Sequence, residues 1–108
     1  MNDRVYTVDE IRVIVQPILE KYQVGKAYLF GSYARGEANM DSDVDLRVDY
    51  SGGDKLVLCV LQDELAEALK KKVDLLHTEH LRSQLHDPWI QYFVRNMKKS
   101  EVVLYAGT

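Results

Sequence analysis

The sequence predicts an α/β (α+β) fold, in which a single small mixed β-sheet is flanked by helices. Two observations indicate this fold class. Residues 44–49 (VDLRVD) alternate strictly between apolar and polar side chains, which is typical of a strand with one buried face. Elsewhere apolar residues recur at helical spacing, and the segments follow the order α-β-α-β-α-β-α-α-β.

A capping box and an apolar stripe predict the first helix. Thr7 and Glu10 have the spacing at which each side chain satisfies an orphan amide of the other residue. The stripe that follows consists of Ile11, Ile14, Val15, Ile18, Leu19 and Tyr22. Pro17 predicts a kink or the local loss of one hydrogen bond, and Gly25 marks the expected end of the helix.

Short segments with clear turn signals come next. Residues 26–30 are predicted to form a buried strand, 32–35 a helical turn, and 36–42 a polar loop. The alternating segment 44–49 is the second strand, and residues 51–53 (Ser-Gly-Gly) are predicted to form a turn.

The longest helix is predicted between residue 54 and about residue 72. Its periodic apolar residues are Leu56, Val57, Val60, Leu61, Leu65 and Leu69. Cys59 lies among them and is expected to pack as a small hydrophobic residue. Residues 70–72 (Lys-Lys-Lys) are interpreted as a solvated last turn.

The remaining elements are a strand, two helical segments and a final strand. Residues 73–77 form the strand, Thr78 is a candidate cap for the next segment, and Asp87-Pro88 is a cap followed by proline at the first helical position. The apolar face of the last helix consists of Trp89, Ile90, Phe93, Val94 and Met97. Trp89 and Phe93 are interpreted as core rather than as a platform for base stacking, although an exposed one of them could instead contact a partner. Residues 101–105 form the final strand.

Composition limits the classes of function. The 108 residues are expected to form one domain, residues 1–108. A net charge of −3 argues against a general nucleic-acid binder, so no direct nucleic-acid partner is expected. The single cysteine cannot form an internal disulfide, and there is no apolar leader segment or membrane-spanning run. We therefore expect a reducing, cytoplasmic setting without a membrane partner.

Three aspartates are candidate metal ligands. Asp43 and Asp45 are two residues apart, so on a strand they point to the same face. Two like charges this close are unfavourable alone, and a divalent cation such as Mg²⁺ removes the conflict. Asp74 stands second on another short strand and would join them if the two strands are neighbours. Three converging carboxylates could hold two Mg²⁺ ions about 4 Å apart.

Gly31-Ser32 is the candidate phosphate-binding turn. Glycine allows the backbone to approach a phosphate closely, and a helix that begins here offers free amides and partial positive charge. Arg35 could reach a triphosphate or could be an ordinary surface residue. Arg47 is interpreted as part of a structural ion pair with Asp45 or Asp49. His77 and His80 lack the further ligands of a zinc site and are expected to have solvated or capping roles.

The spacing of these residues resembles a known signature. Gly31-Ser32, the ten residues 33–42 and then Asp43-Val44-Asp45 resemble the motif of the DNA polymerase beta-like nucleotidyltransferase superfamily. Asp74, within the sequence VDLL at residues 73–76, matches the third carboxylate of that superfamily. Residues 31–38 (GSYARGEA) are especially similar to the minimal nucleotidyltransferase (MNT) branch.

The resemblance implies a fold, a reaction and a partner. The fold would be the polymerase beta-like one, with ATP or another nucleoside triphosphate as substrate and two Mg²⁺ ions as cofactor. Asp43 and Asp45 would bind both metals, Asp74 would bind the catalytic metal and orient or deprotonate the acceptor hydroxyl, and Gly31 and Ser32 would hold the terminal phosphates. Because minimal nucleotidyltransferases are similar to the antitoxins of HEPN/MNT toxin–antitoxin pairs, the implied partner is a HEPN ribonuclease toxin in a hetero-oligomer, modified with AMP on a tyrosine.

Two other functions stay open at this point. A small-molecule nucleotidyltransferase, such as one acting on an aminoglycoside, uses the same chemistry but usually carries an acceptor-binding domain. A non-catalytic antitoxin could act by occluding its toxin, although the intact aspartates count against that function.

Overall fold

The computed structural model describes residues 4–52 and 54–107, and its elements follow the predicted order. They are α1 (Val8–Lys21), β1 (Lys26–Phe30), α2 (Gly31–Arg35), β2 (Val44–Asp49), α3 (Lys55–Leu69), β3 (Val73–His77), α4 (Thr78–Ser83), α5 (Pro88–Ser100) and β4 (Val102–Ala106). The capping box of Thr7 and Glu10 and the Asp87-Pro88 helix start are confirmed. Gly53, the last residue of the predicted turn, lies outside the described residues.

The strands form one mixed sheet in the order β3-β2-β1-β4. β1 lies in the middle and pairs antiparallel with both β2 and β4, whereas β2 and β3 pair in parallel. The α/β fold with one mixed sheet is therefore confirmed. Within the described residues, no helix combines the length and the apolar composition that a membrane crossing requires.

The two faces of the sheet are covered by different helices. On one face Val44, Leu46 and Val48 of β2 are fully buried in a core that α1 and α3 complete. The helical residues that pack there include Ile11, Val15, Leu19, Leu61, Leu65 and Leu69. On the opposite face a smaller cluster of Phe30, Leu81 and Met97 joins β1 to α4 and α5. The strict alternation of β2 thus separates the face of the sheet that α1 and α3 bury from the face that α4 and α5 cover.

Arg47 connects the elements of the second face. Its side chain is buried, and its Nη2 atom donates to both carboxylate oxygens of Glu101 at 2.9 and 3.0 Å. Nη1 donates to Thr78 Oγ1 at 2.8 Å and lies 3.5 Å from Asp49 Oδ1, and the guanidinium stacks 3.9 Å above the Tyr28 ring. The predicted ion pair is therefore confirmed with Asp49 and not with Asp45. Glu101 and Thr78 are partners that the sequence did not predict.

Two predicted helix ends are wrong. α1 continues through the exposed Pro17 and ends at Lys21, before Gly25, because Gln23 takes the left-handed conformation (φ 57°) that the prediction gave to glycine. α3 ends at Leu69, where Lys70 takes the left-handed conformation (φ 55°). Lys71 is consequently buried, with its Nζ donating to the Met40 carbonyl at 3.1 Å, and is not part of a solvated turn.

Three side-chain predictions are also wrong. Cys59 is exposed, because α3 buries only the stripe that includes Leu61 and Cys59 lies on the other side of the helix. Thr78 is the first residue of α4 and not its cap, and its hydroxyl accepts from Arg47 instead. In α5 the one buried residue is Met97, whereas Trp89 is 79% exposed, so the interpretation of Trp89 as core is wrong.

The buried pairs of Arg47 generate a prediction about stability. Glu101→Gln removes a charge that faces a buried guanidinium, so we expect the free energy of unfolding to fall by about 2 kcal/mol, less than for a fully isolated pair because Asp49 remains. Glu67→Gln removes an exposed carboxylate that pairs with Lys70 and is the matched control, with an expected change below about 0.5 kcal/mol. Urea unfolding measures both changes, and equal losses in the two variants would contradict the role of Arg47.

Candidate active site

Asp45 and Asp74 lie side by side on the face of the sheet opposite the main core. They are register partners on the parallel strands β2 and β3, so their side chains project in the same direction. Across β1, Asp45 is the partner of Phe30, the residue directly before Gly31. Asp45 and Asp74 therefore lie beside the start of α2 at one end of the sheet. The sequence made their meeting conditional on the two strands being neighbours, and β2 and β3 are neighbours.

The closeness of these carboxylates changes the acidity of Asp45. Burial, and then the charges of Asp74 and Asp43 and a hydrogen bond to Asp74, raise the pKa of Asp45 from 3.8 to about 6, against a small opposing effect of Arg35. Two acids in contact share one proton or need an external cation. The site consequently carries unbalanced negative charge near neutral pH.

Asp43 lies close enough to this pair for its charge to raise the pKa of Asp45. It precedes β2, which begins at Val44, so the alternation of the strand does not set its direction. Its Oδ2 atom lies 3.8 Å from Lys72 Nζ, and its side chain is 40% exposed. Across residues 4–52 and 54–107, no three His, Cys, Asp or Glu side chains are gathered closely enough to bind one metal ion together. The assignment of Asp43 as a ligand stays a prediction.

Gly31 brings the backbone against Asp45. Its φ is +74°, a conformation that other residues rarely adopt, and a Cβ atom there would overlap Asp45 Oδ2 and lie 3.1 Å from Asp45 Cγ. Ser32 follows within the first turn of α2, where backbone amides point along the helix axis. Glycine therefore satisfies both the conformation and the spacing that this contact requires.

Arg35 ends α2 on the same side of the molecule. It is exposed, its Nε donates to Glu37 Oε2 at 3.1 Å, and its charge is close enough to lower the pKa of Asp45 slightly. These contacts fit both a residue that reaches a triphosphate and an ordinary surface residue, the two roles that the sequence left open for Arg35. A place in nucleotide binding stays a prediction.

A cavity of about 500 Å³ joins these residues to α5. Its polar end contains Gly31, Arg35, Asp45 and Asp74, and the rest of its lining consists of Phe30, Leu76, Phe93, Asn96, Met97 and Ser100. The volume is within the usual range for a small-molecule site. The sequence did not predict this wall, although the spacing of Phe93, Asn96, Met97 and Ser100 was a helical signal for one shared face.

A second cavity of about 360 Å³ lies on the same face of the sheet, around Arg47 and Asp49. Arg47 forms ion pairs with Glu101 and Asp49 beneath it, although two buried atoms of the described residues there, Arg47 Nε and Asp49 Oδ1, have no hydrogen-bond partner. His77, near a further depression, has its Nε2 atom 3.0 Å from the Tyr50 carbonyl oxygen, which fits a structural role and not zinc binding. Of these cavities, the one at Asp45 and Asp74 brings like charges together.

The donor set of this cavity fits a hard divalent cation. Magnesium binds oxygen and commonly takes one or two protein carboxylates, with the remaining positions filled by water and phosphate. Asp45 and Asp74 supply two such carboxylates, and the pKa of Asp45 is raised first by burial and then by the repulsion of Asp74 and Asp43, which a cation would relieve.

Comparisons with known proteins agree with this geometry. The family model described as polymerase beta nucleotidyltransferase matches residues 14–105. A protein of Methanocaldococcus jannaschii with the provisional name protein adenylyltransferase is 41% identical over 81 residues, which cover 74% of this chain and 87% of the relative. Protein adenylyltransferase MntA of Thermococcus cleftensis is 38% identical over 82 residues, with 71% and 83% covered.

One solved structure extends the comparison to an assembly. It is described as a toxin–antitoxin with AMP-PNP, and one of its chains matches this chain with a TM-score of 0.66 at 26% identity. The match covers 93% of this chain and 75% of that chain.

The raised pKa of Asp45 predicts that its ionisation lowers the free energy of unfolding of the metal-free protein in a pH-dependent way. The folded state retains a proton that the unfolded state releases between about pH 4 and pH 6, so the cost is absent below pH 4 and fully present above pH 6. In EDTA, Asp45→Asn should raise the free energy of unfolding by about 1 kcal/mol at pH 8, allowing for the exposed part of the side chain, and by almost nothing at pH 4. Urea unfolding across this range measures the effect. Asp63→Asn, which removes an exposed carboxylate of α3, is the control, and an equal pH-dependent gain there would contradict the explanation.

Gly31 generates a second prediction. Gly31→Ala introduces a Cβ that displaces Asp45 and strains the backbone, so we expect a loss of about 2 kcal/mol in stability. Gly36→Ala is the matched control, since it has a similar φ of +73° but no atom within 4 Å of an added Cβ. Thermal unfolding of both variants separates conformational strain from the clash. A loss no greater at Gly31 than at Gly36 would show that the contact with Asp45 is unimportant.

Proposed function

The chain belongs to the polymerase beta nucleotidyltransferase family, and from that membership we propose that it transfers AMP from ATP to a hydroxyl group of a protein partner. Its enzymatic class is that of a nucleotidyltransferase. We propose further that residues 1–108 act as a single nucleotidyltransferase domain. The observation that carries the proposal is the contact between Asp45 and Asp74 beside the left-handed Gly31, at the mouth of a cavity.

The nucleotide end of the proposed site is the start of α2. Gly31 and Ser32 present backbone amides to the phosphates of ATP, and the missing side chain of Gly31 permits the approach. Arg35 is placed at the same cavity and can neutralise part of the triphosphate charge. These roles place the α phosphorus toward Asp45 and Asp74.

The acceptor end of the proposed site is Asp74. Its carboxylate orients the acceptor hydroxyl and accepts its proton as the oxygen attacks the α phosphorus in line. A new phosphorus–oxygen bond forms, the bond to the bridging oxygen breaks, and pyrophosphate leaves. Two bound Mg²⁺ ions, held by Asp43, Asp45 and Asp74, would neutralise the developing charge. Asp45, adjacent to both Asp74 and Gly31, is the residue that connects the two ends of the site.

We propose that the acceptor is a tyrosine of a HEPN ribonuclease toxin, with which the chain forms a hetero-oligomer as its antitoxin. Three observations support this partner. The sequence string at residues 31–38 is similar to that of minimal nucleotidyltransferases, one relative is named protein adenylyltransferase MntA, and one similar chain was solved in a toxin–antitoxin assembly with AMP-PNP. The mainly apolar lining of the cavity also suits an aromatic acceptor better than a polycationic aminoglycoside.

The experiment combines the protein, Mg²⁺, ATP and the HEPN-type product of a neighbouring gene, and mass spectrometry follows the partner. We expect the mass of one or more AMP groups on the partner. The Asp43→Asn, Asp45→Asn double variant, or EDTA, should reduce the rate by at least about 1,000-fold. Asp63→Asn should retain full activity. Toxin neutralisation without AMP transfer, which persists in the double variant, would replace the enzymatic proposal with occlusion.

A further inference from the structure

A buried lysine lies close to the candidate active site, and the chemistry proposed above does not use it. Lys71 is in the turn between α3 and β3, and it is 5% exposed. Burying an ammonium group is costly unless polar atoms surround it. Its Nζ atom donates to the backbone carbonyl of Met40 at 3.1 Å. The Lys71 side chain therefore reaches from the end of α3 to the loop that leads into β2.

The loop that Lys71 contacts carries Asp43. It consists of residues 36–43, which connect α2 to β2, and most of these residues are exposed. Exposed loops move relative to the rest of a fold unless contacts hold them. The hydrogen bond from Lys71 to the Met40 carbonyl joins the loop to the end of α3, three residues before Asp43. Lys71 thus restrains the backbone on the N-terminal side of Asp43.

The backbone on the other side of Asp43 is held by the next residue of the same turn. The Val44 amide donates to the Lys72 carbonyl oxygen at 3.0 Å, where β2 begins to pair with β3. Lys72 also places its Nζ atom 3.8 Å from Asp43 Oδ2. The turn between α3 and β3 consequently contacts the chain both before and after Asp43.

We propose that Lys71 is a positioning residue for the proposed reaction, and that it holds the loop before β2 so that the Asp43 carboxylate stays beside Asp45. Asp43 is close enough to Asp45 for their charges to interact. A ligand on a mobile loop loses conformational freedom when a cation binds, and that loss weakens binding. Lys71 removes this freedom in the fold itself. The inference rests on the proposed function, in which Asp43 is a ligand of Mg²⁺.

A direct effect of the Lys71 charge on a cation would have the opposite sign. A positive charge near a cation site weakens cation binding, so a neutral residue in its place should tighten binding if charge alone matters. Loss of a positioning contact should weaken binding instead. The direction of the change therefore separates the two effects. Lys72, whose Nζ atom faces Asp43, is the residue for which the charge effect should dominate.

A cation titration of the protein without nucleotide tests the proposal. Mg²⁺ is added to the wild type and to each variant, and the backbone NMR signals of Asp45 and Asp74 report binding. Lys71→Met keeps the length of the side chain and removes the donor, so we expect the Kd for Mg²⁺ to rise about tenfold. Lys71→Arg keeps a donor and should restore most of the affinity. Lys72→Met should lower the Kd about threefold, because it removes a competing positive charge.

Lys70→Met is the matched control for this titration. Lys70 belongs to the same turn, but it is exposed and pairs with Glu67 of α3, so its Kd should stay within about twofold of the wild-type value. If Lys71→Met does not fold, Lys71→Gln replaces it with the same expected direction. Unchanged or tighter Mg²⁺ binding in the folded Lys71 variant would overturn the inference and leave the proposed function intact. A wild type that binds no Mg²⁺ would contradict both.

AMP transfer to the HEPN-type partner gives a second measurement. Lys71→Met should need about tenfold more Mg²⁺ for its half-maximal rate and should come within about twofold of the wild-type rate when Mg²⁺ saturates. A rate that saturating Mg²⁺ does not restore, with an unchanged Mg²⁺ requirement, would show that Lys71 is not a positioning residue for the cation site. If the wild type transfers no AMP, the proposed reaction fails, and the cation titration still decides the role of Lys71.

Discussion

The parallel pairing of β2 with β3 forces two carboxylates together, and the features of the site follow from that constraint. Register places Asp74 beside Asp45, and the antiparallel pairing with β1 places the start of α2 against the same carboxylate. Burial and mutual repulsion then raise the pKa of Asp45 to about 6. A packed protein usually avoids such an arrangement, because the unbalanced charge opposes folding. The arrangement lies at a cavity, and the proposed cation site rests on that observation.

The same strand carries a cluster in which opposite charges face one another. Two residues beyond Asp45, Arg47 is buried among Glu101, Asp49 and Thr78 and fixes α4 and the end of α5 to the sheet. Its guanidinium is matched by carboxylates within the fold, whereas Asp45 faces other carboxylates. Arg47 of β2 thus stabilises the fold, whereas Asp45 of the same strand lies in the candidate active site. Because Arg47 pairs with Glu101 at the end of α5, it also helps to position the α5 residues that line the cavity at Asp45.

The success of sequence interpretation differed between strands and helices for a physical reason. The alternation of residues along β2 predicted both its bounds and its buried face. The Gly31-Ser32 pair marked the end of β1 and the start of α2. Asp43 followed the same parity argument, but it precedes the strand, so its side chain turns toward Lys72. Helical periodicity shows that α5 has an apolar face without showing what covers it. Trp89 was therefore assigned to a core that does not contain it. α1 and α3 both end earlier than predicted, because Gln23 and Lys70 take the left-handed conformation just after these helices. A single left-handed residue can end a helix without being glycine.

The exposed rings of α5 and the unbalanced carboxylates lie at one end of one face, and this arrangement has a consequence for stability. The core between the sheet, α1 and α3 is closed and needs no partner. At the other face, by contrast, both the charge of Asp45 and the exposed surface of Trp89 lower the stability of the isolated chain relative to a bound one. A nucleotide with its cation would relieve the first cost, and a protein that covers α5 would relieve the second. Each would therefore raise the free energy of unfolding of the chain, because each binds only the folded state.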